Sequence, residues 1–200
     1  MRSGRSVRTS ALTCPEPPPS SPHPQRNSPM NDTTTAVTPT SPVFTVPEGS
    51  IVVGHDGSGD SDTALAVAFD FAGKLGVDIV VVRSWSIDTA PHGALYNHGY
   101  VSSFDEVTET VRKMLIADTA EIGSRHPEVA LHHRAALAQP AQLLTQLAAP
   151  ALMLVVGPRG LGGFAGLLLG SVSSQCVQLA TCPVLVVPTP KDHPHADHPH

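Results

Sequence analysis

Leu152-Met153-Leu154-Val155-Val156-Gly157-Pro158-Arg159-Gly160, then nine residues, then Gly170-Ser171, decides the reading of this chain. The apolar run 152–156 reads as a buried strand. Val172 to Ala180 reads as a helix. A glycine-rich loop between a strand and a helix start is suited to holding phosphates. Glycine lets the backbone approach an anion closely, and the first helical turn offers unpaired N–H groups. Ser171 stands where an N-cap is expected, its hydroxyl free for the helix start or for a phosphate oxygen. The spacing is not that of a P-loop, because no Gly-Lys-Ser/Thr follows. Nor is it the dinucleotide glycine triplet, which belongs at a first strand–helix turn. A loop that merely closes a connection is the plain alternative.

Upstream the pattern alternates. Ile51-Val52-Val53 is a short strand, followed by Gly54-His55-Asp56-Gly57-Ser58. Asp62 to Leu75 has helical spacing through Leu65, Ala68, Phe69, Ala72 and Leu75, and Gly76 ends it. Val77 to Val82 is a second strand, apolar enough to be covered on both faces. A longer connection with Pro91 leads to a helix over Phe104–Ile122, closed by Gly123. Val129, Leu131, His133, Ala135 and Leu137 alternate as a third strand with one wetter face. Ala141–Ala148 is a short helix with Pro140 at its start, and Val184–Val187 is the fifth strand. This is an α/β chain: a Rossmann-like five-stranded parallel sheet in the order 3-2-1-4-5, with helices on both faces. Strands one and four are then neighbours at the switch point, so the loops after them face one crevice.

The globular part is read as 49–188. Residues 1–48 are rich in Arg, Pro, Ser and Thr and too polar to form a core. Within them, Met30 is expected to be the true start, with 1–29 an over-extended reading frame. Residues 189–200 are a loose tail of His and Pro. The arginine-containing start lacks a signal peptide's apolar stretch, and no segment reaches about 18 unbroken apolar residues. No membrane partner is therefore expected. Net charge is −5, and about −8 without residues 1–29, which argues against nucleic acid. Cys14, Cys176 and Cys182 make neither a disulfide framework nor a metal spacing, and fit a reducing, cytoplasmic setting. Cys176 falls inside a helix as a small core residue. The tail histidines lack a rigid metal site, and His132 and His133 point to opposite strand faces.

Val53-Gly54-His55-Asp56-Gly57-Ser58 resembles the opening motif of the universal stress proteins. Gly157-x2-Gly160-x9-Gly170-Ser171 is similar to that family's ATP-binding pattern, and Cys182-Pro183-Val184-Leu185-Val186-Val187 to its final strand. The resemblance covers Ser50–Pro188. It implies a cytoplasmic domain that binds ATP with Mg2+ and forms a homodimer. It further implies that Asp56 holds the ribose, that the backbone near Ser84 meets the adenine edge, and that Gly54 and His55 lie against the nucleoside. Val156, Gly157, Arg159 and Gly160 would line the phosphate loop, with Gly170, Ser171, Val172 and Ser173 on the phosphates. Asp56 has a plain alternative as a helix cap, and Arg159 as a solvated cation.

Two positions depart from the family pattern. His55 replaces a small or apolar residue, and either meets the ligand, titrates near neutrality, or is a partly exposed loop histidine. Leu152 replaces an acid outside the phosphate loop. No catalytic residue and no metal ligand is assigned. The functional reading is an ATP-binding regulatory module with little or no turnover, not an enzyme. A slow ATPase and a nucleotide-free dimeric interaction protein are the alternatives. The dimer is expected to form through Val184–Val187, a short apolar edge strand.

Overall fold

The computed structural model describes residues 45–97, 100–162 and 168–188. Residues 1–44 and 189–200 lie outside it, and with them the expectations about Met30 and the two tails. Val46, just ahead of the expected boundary at residue 49, is buried with Val52, Leu144 and Ala148.

Five strands form one parallel sheet: β1 Ile51–Gly54, β2 Ile79–Trp85, β3 Leu131–Leu137, β4 Met153–Val156 and β5 Val184–Val186. Their order is β3-β2-β1-β4-β5, as expected. The described residues form four α-helices, α1 Gly59–Leu75, α2 Phe104–Ser124, α3 Pro140–Ala148 and α4 Ser171–Leu179. The two-residue period sorts the central strands between two cores. Ile51, Val53, Ile79 and Val81 pack with Leu65, Ala68 and Phe69 of α1 and Leu115 of α2. Val52, Val80, Val82 and Leu154 face the other way, onto Ala141, Leu144 and Ala148 of α3 and Cys176 of α4. Each such side chain contributes roughly 1.5–3 kcal/mol by leaving water. Covering both faces explains the unbroken Val/Ile runs of β1 and β2.

Boundaries move where local chemistry was missed. Helix α1 begins before Asp62, because Ser58 accepts from the Ser61 N–H and caps it. Gly76 ends it in the left-handed region, at φ 66°. Strand β2 runs past Val82 to Trp85, since Arg83, Ser84 and Trp85 pair with Ala135, Ala136 and Leu137 of β3. Gly123 does not close α2, which continues to Ser124. The connection after β2 contains a single 3-10 turn, Ile87–Thr89, and a short antiparallel pair, Tyr96–Asn97 with Tyr100–Val101. Ser103 and Glu106 then form a reciprocal capping box that starts α2.

Candidate functional site

The carboxyl ends of β1 and β4 lie side by side, with Val53 opposite Val155, and the two glycine loops leave from there. Asp56 joins them. Its Oδ1 accepts the Ser58 N–H at 3.0 Å and the Ser58 hydroxyl at 2.6 Å. Its Oδ2 accepts the Leu161 N–H at 2.9 Å, across 105 residues of chain. Burial alone would raise the Asp56 carboxyl, but these hydrogen bonds win and hold it below the usual carboxylate range.

The glycines of the second loop are dictated by close approach. A Cβ on Gly160 would overlap Asp56 Oδ2. One on Gly157 would lie 3.0 Å from the Asp60 carbonyl carbon and oxygen, at the start of α1. The neck of the loop is tied at Pro158, whose carbonyl accepts the Gly170 N–H at 2.7 Å and the Ser173 hydroxyl at 2.8 Å. Arg159 Nε pairs with Asp60 at 3.5 Å. Helix α4 follows, and its first intrahelical bond runs from Ser174 N–H to Gly170 O. The N–H groups of Ser171, Val172 and Ser173 precede that bond, at the positive end of the helix.

The structure thus brings Asp56, Gly157, Gly160 and Gly170 together and sets the start of α4 directly after them. It corrects several details. Gly170, not Ser171, is the N-cap of α4, and Ser171 is the first helical residue. The Ser173 hydroxyl is buried and spent on the Pro158 and Gly170 carbonyls. Val172 packs against the α3–α4 core, as does Val156. Gly54 is a packing glycine, since a Cβ there would come 2.9 Å from Leu144 Cδ1. Ser84 sits inside β2 opposite Ala136 rather than beyond the strand end.

His55 differs most from its reading. Its side chain is fully buried. Nε2 lies 2.9 Å from Asp62 Oδ1, and Nδ1 lies 2.8 Å from Arg83 Nη2. Guanidinium only donates, so Nδ1 accepts and Nε2 carries the proton given to Asp62. Burial pushes the imidazole below its ordinary value, the Asp62 bond opposes this, and the Arg83 charge adds to it. With its side chain fully buried and both ring nitrogens engaged, His55 is not a loop histidine in solvent. Arg83 also donates to the His55 carbonyl at 3.2 Å and to Asp118 at 2.7 Å. The pairing of Arg83 with His55 and Asp118, and of His55 with Asp62, went unread in the sequence, although a lone cation directly after the Val-rich run 79–82 was a visible signal.

The Universal stress protein family profile matches residues 49–188. The chain belongs to that family. A universal stress protein of Mycolicibacterium smegmatis is 42% identical over 139 residues, covering 68% of this chain and 45% of the relative. One from Mycobacterium tuberculosis is 36% identical over 146 residues, covering 73% of this chain and 46% of the relative. The chain therefore spans about half the length of these curated relatives. Among solved structures, a universal stress protein in complex with cAMP is 26% identical, with a TM-score of 0.51 over 70% of this chain and 97% of that one. UspA from Lactobacillus plantarum shares the fold at 15% identity, with a TM-score of 0.54 over 70% of this chain and 97% of that one. Among the described residues of this universal stress protein, no helix is long and apolar enough to cross a membrane.

Proposed function

We propose that this universal stress protein holds ATP, with Mg2+ on the phosphates, in the crevice between the two loops. The observation that carries the reading is the convergence of the Asp56 carboxylate, the close-packed Gly160 backbone and the N-terminus of α4 at neighbouring strand ends. An acid suited to ribose hydroxyls and an N–H cradle suited to phosphate lie at one place. A family member of the same fold binds an adenine nucleotide, cAMP. In this reading Asp56 orients the ribose. Gly157, Arg159 and Gly160 line the phosphate loop, and the backbone of Gly170, Ser171, Val172 and Ser173 meets the phosphates. The backbone near Ser84 meets the adenine edge, and Gly54 and His55 lie against the nucleoside.

Turnover is expected to be slow or nil. Between Gly157 and Ser173 the sequence carries one cation, Arg159. That cation pairs with Asp60, whereas phosphoryl transfer relies on positioned cations. The protein acts as a cytoplasmic regulatory module and dimerises through β5, which lies at the sheet edge. One observation favours the nucleotide-free alternative. Three protein donors already occupy Asp56, out of about four lone-pair sites. Accepting both ribose hydroxyls requires Leu161 to let go.

The test is the nucleotide content of the purified protein, released by denaturation and identified by mass spectrometry. Co-purified ATP that disappears in Gly160→Ala/Gly170→Ala supports the reading. ADP alone supports a slow ATPase. No nucleotide, and no binding of Mg-ATP on titration, refutes it.

A further inference from the structure

The loop carrying Asp56 stands on a buried polar network that the two-loop site does not explain. Arg83 is nine-tenths buried, and all three of its nitrogens have acceptors: Nε the His55 carbonyl, Nη2 His55 Nδ1, and Nη1 Asp118 Oδ2. The His55 carbonyl belongs to the same peptide unit as the Asp56 N–H, so the first of these bonds sets the plane from which Asp56 projects. Gly57, at φ 92°, passes over the same guanidinium, which would lie 3.5 Å from a Cβ built there. Asp62 on α1 fixes the far side of the imidazole, and Asp118 on α2 fixes the guanidinium. The loop is therefore referenced to two helices and to β2, not only to its own turn.

We infer that Arg83 is a positioning residue for Asp56, and that it works only while the His55 ring between them is neutral, so that nucleotide affinity falls once acid protonates that ring.

The inference rests on the nucleotide reading above. Arg83 has no acceptor to offer, so a second proton on His55 sets an N–H against the guanidinium. The His55–Arg83 bond must then break. The charged and titratable groups facing His55 are Asp62 from α1, Arg83 from β2 and Asp56 from its own loop, with His133 on β3 acting at longer range. Asp118 of α2 balances the Arg83 charge. A lysine would not replace Arg83, since it lacks the fork that grips ring and carbonyl together.

The test measures Mg-ATP affinity of the full chain by titration calorimetry in steps from about pH 7.5 to about pH 4.5, because burial holds His55 below the ordinary histidine range. The proteins are wild type, Arg83→Met, Arg83→Lys and His55→Gln. Glutamine accepts from Arg83 and donates to Asp62 but does not titrate. At the higher pH, Arg83→Met and Arg83→Lys are expected to bind about tenfold or more weakly, the scale of a lost charged hydrogen bond. His55→Gln is compared only with itself across pH, its affinity at the higher pH serving as its own reference. On acidification, wild type should lose at least about fivefold more affinity than His55→Gln. Protonation of ATP cancels in that ratio. A merely structural arginine would not produce a pH difference between wild type and His55→Gln. Should the Arg83 variants fail to fold, the paired pH profiles decide alone. Wild-type affinity in Arg83→Met, or identical acid losses in wild type and His55→Gln, overturns the inference while the nucleotide reading stands. No ATP binding by wild type overturns both.

Discussion

Replacing Asp56 by asparagine changes one atom and reverses one hydrogen bond. The asparagine oxygen can keep both Ser58 donors, the N–H at 3.0 Å and the hydroxyl at 2.6 Å. Its NH2 group then faces the Leu161 N–H, which now donates to Oδ2 at 2.9 Å. Two donors cannot share that distance, so the tie between the loops is lost. Rotating the amide is no remedy, because it sets the NH2 against the Ser58 N–H. A hydrogen bond to a charged group contributes about 1.5–3 kcal/mol. The Leu161 end is exposed, so water partly replaces the bond and a value at or below the bottom of that range, about 1–1.5 kcal/mol, is expected. For a domain of this size that lowers Tm by about 4 °C. Nucleotide affinity should fall further, by about 30-fold, because an amide cannot accept two ribose hydroxyls as a carboxylate does. Thermal unfolding and calorimetry with Mg-ATP measure the two effects on the same preparation. An Asp56→Asn protein with wild-type Tm and wild-type affinity would refute both the bridging role and the ribose role.

Three further outcomes are expected. Gly157→Ala places a Cβ 3.0 Å from the Asp60 backbone, which cannot swing aside. Urea unfolding should show a loss of about 1–3 kcal/mol. Burial holds His55 and His133 below the usual 6.5, so the unfolded chain binds protons that the folded chain refuses. Stability should be full above pH 6.5 and decline as pH falls through the lower folded values. The slope in urea midpoints between about pH 7 and 5 should shrink in His55→Gln. Finally, the Val187 N–H and Pro183 carbonyl point inward to β4, so by alternation the Val184 and Val186 N–H groups face the open edge. Val186→Pro should therefore dissociate the proposed dimer at micromolar concentration in sedimentation, with far-ultraviolet circular dichroism retained. A monomeric wild type would remove the dimer proposal.

The residues that decided the strands and helices are read locally, which is why they were legible. Ile51-Val52-Val53 and Leu152 to Val156 carry enough apolar surface to require cover on both faces. The spacing of Leu65, Phe69 and Ala72 places one stripe of α1 against the sheet, and Gly76 stops it in the left-handed region. Given alternating strands and helices, parallel pairing with helices on both faces follows. The glycines at 157, 160 and 170 were legible as a loop suited to close approach, though not what each approaches.

Tertiary packing decided the rest, because it depends on atoms distant in sequence. Nothing near Gly160 shows that Asp56 lies against it, 104 positions earlier. The roles of His55 and Arg83 are likewise invisible one residue at a time. A histidine in a glycine loop reads as solvated, and an arginine at a strand end reads as exposed. Folding places each in the other's reach, and burial makes pairing obligatory, since an unpaired charge there would be costly. The sequence determined where the chain turns and which faces it hides; the tertiary structure decided which polar groups must satisfy one another, and so which residues shape the site.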